Sequence, residues 1–332
     1  MTITKLEIRP NLWIKKLMIL GVPVIFTIPI IYSLPLFGTW GQIRPSAFPE
    51  DWTTVRSILN KDVEEYNVLV LPWHMYMDFN WLPNRWKRLA NPAPNFFSQP
   101  IISGDNLEVP FSPSNSSNPI SKYIESLLQD KESLQNFGSL IAPLNAKYVI
   151  LFNESDYESY NFLLKQDDLD LVFEGHSIVL FRNLTPTNKA YSVKEIIYVN
   201  NFEDYLDKVS NLNSLDNLFV FSTDNSQPFS NKQGVLEPYK NSNLVRVNPV
   251  SYRTQTSDGS YLVFTLPQKT LREGWISNQS SNLLNLNMMP VFEPMQGETI
   301  ITFDPFYKVH LPTYALSIIS LIIAFIVYRR RE

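Results

Sequence analysis

No cysteine occurs among the 332 residues. Disulfides, thiolate zinc sites and cysteine nucleophiles are thereby excluded. Histidine is nearly as scarce, with only His74, His176 and His310. Imidazole general-base chemistry has few places to live, and a histidine-rich metal site has none. The chain also lacks a Gly-x-Ser-x-Gly elbow, a Gly-x-Gly-x-x-Gly turn and a phosphate loop. It shows no internal repeat and no low-complexity tract, and nothing in it calls for a cofactor.

Charge is absent from two apolar stretches that bracket the chain. Leu17 to Phe37 is uncharged over 21 residues, and Thr313 to Tyr328 over 16. A run of about 20 apolar residues crosses the roughly 30 Å hydrocarbon core as a helix. Lys5, Arg9, Lys15 and Lys16 precede the first stretch, and Arg329, Arg330 and Arg331 follow the second. Basic flanks stay in the cytoplasm, so both termini read as cytoplasmic and the section between them as exterior. The first stretch is too long for a signal-peptide core and is followed by no Ala-x-Ala site, which makes it an uncleaved anchor. Pro23, Pro29 and Pro35 bend it.

The chain carries −4 overall, with +3 before the first stretch and +2 after the second, which leaves −9 on the exterior section. That balance argues against nucleic acid and against anionic lipid headgroups. An exterior domain without cysteine fits an archaeal or bacterial envelope better than an animal cell surface.

Within the exterior section, strand and helix patterns alternate. Asp51 is placed to cap a helix carrying Val55, Ile58 and Leu59. Asn67 to Leu71, with its apolar run Val68-Leu69-Val70-Leu71, is a buried strand stopped by Pro72. Trp73 to Phe97, broken by Pro83, Pro92 and Pro94, is a long loop or lid. Further expectations are a helix over Ser121–Leu128, a strand over Lys147–Phe152 and a helical stretch over Tyr157–Leu164. A hairpin follows, with Leu169–Phe173 and Ser177–Phe181 joined at Glu174-Gly175-His176. The series continues with a strand over Glu195–Val199, a helix over Asp204–Val209 and a strand over Leu218–Phe221. Asn225 to Lys232 is a linker. Beyond it come short strand-like runs at Leu244–Val247, Ser251–Gln255, Tyr261–Leu266 and Thr299–Phe303, with a turn at Asp258-Gly259.

The expected fold is an α+β membrane-anchored protein. Two transmembrane helices flank an extracytoplasmic α/β domain that is followed by a β-sandwich-like module. The expected limits are a cytoplasmic N-terminus at 1–16, the first helix at 17–37, the α/β domain at 39–230, the β module at 240–305, the second helix at 311–328 and a cytoplasmic tail at 329–332.

Several short motifs then follow one another in a familiar order. They are Phe48-Pro49-Glu50-Asp51-Trp52, Val68-Leu69-Val70-Leu71-Pro72-Trp73, Pro143 to Ile150, and Val179-Leu180-Phe181-Arg182-Asn183. After these come Asn248-Pro249-Val250-Ser251-Tyr252, Gly274-Trp275, Gly297 and Asp304-Pro305-Phe306. The series resembles the C-terminal extracytoplasmic region and last helix of polytopic membrane glycosyltransferases of the C superfamily, GT-C, including arabinofuranosyltransferase-like proteins. It covers most of residues 45–328. The resemblance implies a place in cell-surface glycan assembly. In that superfamily the donors are polyprenyl-phosphate sugars, and the catalytic acidic residue stands in the first extracytoplasmic loop of a core of ten or more helices. This chain has two apolar stretches, and no catalytic residue can be carried over. Arg272-Glu273-Gly274-Trp275 also departs from the family, which often has Pro before the Gly-Trp pair.

Glycosyl transfer or hydrolysis needs paired carboxylates. Asp51, Asp78, Asp105, Glu108, Asp167, Asp168 and Asp170 are available, and no spacing selects a pair; the last three suit a turn before a strand. The segment from Trp73 to Trp81 is the most distinctive. Trp73, His74, Tyr76, Asp78 and Trp81 are the expected ligand contacts, because aromatic faces beside polar groups stack on sugar rings, although the same rings also pack cores. His74 and Asp78 share a face only if the segment is helical, and too few other ligands exist for a metal. N-glycosylation sequons begin at Asn115, Asn153, Asn183 and Asn278, no more than composition alone gives.

The expected function is a noncatalytic accessory or glycan-binding module, with the bilayer, a polytopic glycosyltransferase or a surface glycan as partner and no nucleic acid. The alternatives are a structural envelope protein contacting a surface layer and a self-sufficient glycosyltransferase.

Overall fold

The computed structural model describes residues 12–33, 46–82, 88–106, 108–109, 112–113, 118–185, 188–193, 195–211, 217–221, 240–241, 243–256, 261–266, 274–278, 281–284, 289–292 and 297–329. The chain divides into two compact units, Met1–Phe48 and Pro49–Glu332. The first holds helix α1 (Leu12–Tyr32), which carries Pro23 and Pro29 within it. The helix begins five residues before the expected span, so Lys15 and Lys16 lie on it. Its apolar part among the described residues is Pro23–Tyr32. Residues 34–37 of the expected span lie outside the described residues.

The second unit opens with α2 (Glu50–Lys61) and β1 (Asn67–Leu71). The peptide bond from Leu71 to Pro72 is cis. The expected loop follows. It holds a two-residue ladder of β2 (Tyr76–Met77) and β3 (Leu89–Ala90), then a single turn of helix, α3 (Ala93–Phe96). Next come β4 (Ile101–Ile102), the short pair β5 (Glu108–Val109) and β6 (Ser112–Pro113), α4 (Pro119–Gln129) and α5 (Phe137–Ile141). The main sheet is completed by β7 (Ala146–Phe152), β8 (Leu169–Glu174) and β9 (Ile178–Asn183). Its order is β4-β1-β7-β9-β8, with β4, β1 and β7 parallel, β9 antiparallel to β7, and β8 antiparallel to β9.

The continuous apolar runs of these strands arise because both faces of the sheet are covered. Alternate side chains point to opposite faces. Leu69, Leu71, Val149, Leu151, Val179 and Phe181 pack with Tyr123, Ile124 and Leu127 of α4. Val68, Val70, Tyr148, Ile150, Ile178 and Leu180 pack on the other side with Trp52, Val55 and Leu59 of α2. Each such side chain contributes about 1.5–3 kcal/mol on burial, and a one-residue slip would exchange the two sets. The stretch expected as helical over Tyr157–Leu164 is a 3₁₀ helix, Tyr157–Lys165.

Asp51 does not cap α2. The cap position is Pro49, and Asp51 sits in the first turn. Its carboxylate instead accepts the Ser177 backbone N–H at 2.9 Å and the Ser177 hydroxyl at 3.0 Å. It thereby ties the helix to the tip of the β8–β9 hairpin.

β10 (Ala190–Val193) leads to a parallel β-α-β unit of β11 (Glu195–Val199), α6 (Phe202–Asn211) and β12 (Asn217–Phe221). Its apolar residues join the same core as α4, where the hydroxyls of Tyr123 and Tyr205 meet at 2.8 Å. The expected linker at 225–232 lies outside the described residues.

The last section is β13 (Lys240–Asn241), β14 (Val245–Asn248), β15 (Ser251–Thr256), β16 (Tyr261–Phe264), β17 (Trp275–Ser277), β18 (Ser281–Leu284), β19 (Pro290–Phe292) and β20 (Gly297–Phe303). Strands β17 to β19 were not anticipated from the sequence, and the expected Asp258-Gly259 turn lies outside the described residues. These strands form two sheets, β13-β10-β16-β19-β18 and β14-β15-β20-β17. A small core of Ala190, Tyr252, Leu262, Phe264, Phe292 and Ile301 draws on both. The boundary expected between residues 230 and 240 does not separate the sheets. β10 pairs Ala190 with Phe264 and Val193 with Tyr261, inside the later section.

From β20 the chain passes through Asp304 and Pro305 into a π-helical turn, Phe306–His310, and on into α7 (Leu311–Arg329). Phe306–Val327 is the one helix among the described residues long and apolar enough to cross a membrane. Two spans were expected; the apolar part of α1 among the described residues, Pro23–Tyr32, is shorter than a span.

Candidate functional site

The expected contact residues lie just past the C-terminal end of β1, the edge where parallel sheets commonly place ligands. The structure divides them. Trp73 is buried among the residues packed on α4, whereas Trp81 packs against Trp52 on the opposite core, with ring centroids 6.2 Å apart. The Trp73 backbone N–H donates to the Tyr160 hydroxyl at 2.9 Å, and its indole N–H reaches Glu125 at 3.4 Å. Gly104 crosses directly above it. A Cβ there would stand 2.9 Å from the backbone of both Trp73 and His74, so only glycine fits.

His74 Nε2 lies 2.8 Å from an Asp156 carboxylate oxygen. Tyr76 and Asp78 are exposed, and no helix places His74 and Asp78 on one face. Beside them is a carboxylate that the sequence did not single out. Glu154 is 4% exposed, and its Oε2 accepts the Asn80 N–H at 2.9 Å. Burial pushes its carboxyl above the usual carboxylate range, against the opposing pull of that hydrogen bond. Among the described residues, no three His, Asp or Glu side chains gather as a metal would need.

The sequons fare differently. Asn183 is buried, and its amide donates to the carbonyls of Gly138 at 2.8 Å and Ala146 at 3.0 Å. These bonds tie the end of β9 to α5 and to the start of β7. The Asn153 amide donates to the carbonyls of Gly175 and His176. Asn278 is exposed, and Asn115 lies outside the described residues.

A cleft of about 600 Å³ opens at the other end of β1. Glu64 and Glu65, which precede β1, form one side; Asn188 and Lys189, which precede β10, form another. Asn243 to Arg246 and Tyr252 complete it. Lys189 is ion-paired with Glu65 and lies 5.0 Å from the centre of the Tyr252 ring. Arg246 stands 3.8 Å from Glu65, while Glu64 pairs with Lys147 at 2.8 Å.

Lys147 also meets Asp62 at 2.5 Å, and Tyr148 donates to Asp62 at 3.1 Å. Partial burial works against both charges. The hydrogen bonds outweigh it, holding Asp62 below the usual carboxylate range and Lys147 above the usual lysine range. Glu64 and Glu65 are thus balanced by Lys189 and Arg246 across the lining. The cleft is close to neutral, dense in donors and acceptors, and backed by an aromatic ring. Its residues come from four separate segments, so no local motif announced it.

No family model matches the chain, and no curated protein matches it. Among solved structures, the chain is similar to arabinofuranosyltransferase AftD from mycobacteria, at 10% identity over 85% of this chain and 32% of that one, with a TM-score of 0.36. A mutant form of the same enzyme gives 10% identity over 84% and 34%, with a TM-score of 0.35. The chain spans about a third of the length of those structures. A likeness of this degree carries no argument about this chain's chemistry.

Proposed function

We propose that the chain is a membrane-tethered, noncatalytic glycan-binding module serving cell-surface glycan assembly, with both termini cytoplasmic and the α/β and β sections exterior. The observation that carries this reading is the neutral cleft between Glu65, Lys189, Arg246 and Tyr252. Carboxylates, amides and cations lining one cleft match the vicinal hydroxyls of a sugar. The ordered motifs that resemble the exterior part of GT-C glycosyltransferases point the same way.

The noncatalytic part of the proposal rests on how the carboxylates are used. Glycoside hydrolysis needs one carboxyl that stays protonated beside one that is ionised. In the cleft, Glu64 and Glu65 are each ion-paired with a lysine. Glu154, the carboxyl that burial keeps protonated more readily, lies past the other end of the sheet, beyond β7.

The test is binding of the full chain, held in lipid nanodiscs, to an oligosaccharide array, with calorimetry on the hits. Neutral oligosaccharides should bind. Arg246→Ala, at a half-exposed position, should weaken that binding about tenfold, equivalent to about 1.4 kcal/mol. An array without hits, or an Arg246→Ala protein that binds unchanged, defeats the proposal.

A further inference from the structure

We infer that the β14–β15 hairpin rests on the bilayer surface, with Val247 and Pro249 in contact with the lipid headgroup region. The inference relies on reading Phe306–Val327 as a membrane span and adds a lipid-contact surface that this reading does not contain.

The length of the helix fixes its position in the bilayer. Its 22 residues rise about 33 Å at about 1.5 Å each, close to the roughly 30 Å hydrocarbon thickness. No residues are left over to lift the module away from the membrane, so Phe306 and Tyr307 stand at the interface. Tyrosine favours that level, where its ring is in the apolar region and its hydroxyl in the polar one. Lys308 and His310 follow in the same turn.

The hairpin is fastened to this turn. The Ser251 hydroxyl lies 3.2 Å from the Tyr307 hydroxyl. The Phe303 N–H donates to the Val250 carbonyl at 2.9 Å, and the Asp304 N–H to the Gly274 carbonyl at 2.9 Å. Asp304 in turn pairs with Lys308 at 2.6 Å. There is no free linker between sheet and helix, so the height of Tyr307 sets the height of Ser251. The turn Asn248-Pro249-Val250 is within three residues of Ser251, or about 10 Å of extended chain at most.

The surface of the hairpin suits this position. β14 is an edge strand, and Val245 and Val247 are 62% and 52% exposed. The register of β14 against β15 shifts between Arg246 and Asn248, so Val247 is the extra residue of a bulge. Bulges re-aim side chains at sheet edges. An edge strand with two exposed valines invites pairing with another chain unless something covers it. The bilayer, which the same chain enters a few residues away, is the cover already in place.

Because the chain has no cysteine, a single nitroxide can be placed cleanly. Val247→Cys, Leu321→Cys in the middle of α7 and Glu158→Cys beyond the far end of β7 would each be labelled in the full chain. The proteins would be reconstituted in nanodiscs containing anionic lipid, and their circular dichroism compared with the parent. Power saturation against oxygen and against a water-soluble nickel chelate reads depth. The expected result is a Val247 label whose oxygen-to-nickel collision ratio is at least threefold above that of Glu158 and below that of Leu321. Equal ratios at Val247 and Glu158 overturn the inference. Protection of Val247 from both reagents also overturns it, since that marks a protein contact. A water-exposed Leu321 label overturns the span itself and the inference with it.

Discussion

Replacing Asp51 should cost far more than a residue in the first turn of a helix normally does. Its carboxylate receives two hydrogen bonds from Ser177, at 2.9 Å from the backbone N–H and 3.0 Å from the hydroxyl. Hydrogen bonds to a charged group contribute about 1.5–3 kcal/mol each, and an N–H left buried without a partner costs about 1–3 kcal/mol. Ser177 is only 9% exposed, so water does not simply replace the carboxylate. Asp51→Ala should therefore destabilise by about 3 kcal/mol, a fall of about 6–12 °C in Tm for a domain of this size.

Ser177→Ala removes only the hydroxyl and should cost about 1 kcal/mol. Added to Asp51→Ala, it should cost almost nothing more. Gly175 supplies an independent check. A Cβ there would stand 2.7 Å from the Asp51 carboxyl carbon and 2.7 Å from a Phe173 ring carbon. The ring can turn, but the tethered carboxylate cannot move without releasing Ser177. Gly175→Ala should cost about 1–3 kcal/mol through this overpacking, with most of the cost absent when Asp51 is already alanine. Thermal unfolding followed by near-ultraviolet circular dichroism gives all the values. An Asp51→Ala loss below about 0.5 kcal/mol, the usual range for a surface change, would refute the reasoning, as would additive effects of Gly175→Ala and Asp51→Ala.

Other expectations follow from the same geometry. Burial raises the Glu154 carboxyl in the folded state, so its contribution is full below the unfolded-state value and is lost as pH rises through the folded-state value. Glu154→Gln, which keeps an acceptor for the Asn80 N–H, should be more stable than the parent at pH 7 and gain nothing at about pH 4; melts at the two values decide. Gly104→Ala should cost about 1–3 kcal/mol because the backbone of Trp73 and His74 has to shift, and faster hydrogen exchange across residues 73–76 should report that shift. Asn183→Asp sets a carboxylate against the carbonyls of Gly138 and Ala146; it should destabilise by about 3 kcal/mol or more in chemical denaturation.

The parts of the fold legible in the sequence were those decided by near neighbours. Val68 to Leu71 and Tyr148 to Phe152 read as strands because uninterrupted apolar runs need two covered faces, and α2 and α4 cover them. The β8–β9 hairpin and the unit from Glu195 to Phe221 were readable for the same local reasons. What was not legible depended on distant partners. Asp51 has the chemistry of a helix cap, but Ser177, 126 positions later, claims its carboxylate. Trp73 and Trp81 stand in one aromatic segment, yet they pack on opposite sides of the sheet. The cleft draws Glu65, Lys189, Arg246 and Tyr252 from segments that only folding brings together. Glu154 could have been found as the residue following a buried strand by two positions, the place where parallel sheets gather ligands, but nothing local marks it as buried.

The crossing of β10 into the later sheet bears on inheritance. Ala190 to Val193 lies between the hairpin and the β-α-β unit in the chain, yet its ladder partner is β16. A recombination that carried off everything after residue 240 would strip β16 of β10, leaving one edge of Tyr261 to Phe264 unpaired. One that kept only the earlier part would strand Ala190 and Tyr191. The two sections are therefore stitched into a unit that genomes must pass on whole, and shuffled descendants of this chain should break near residue 48, not near 235.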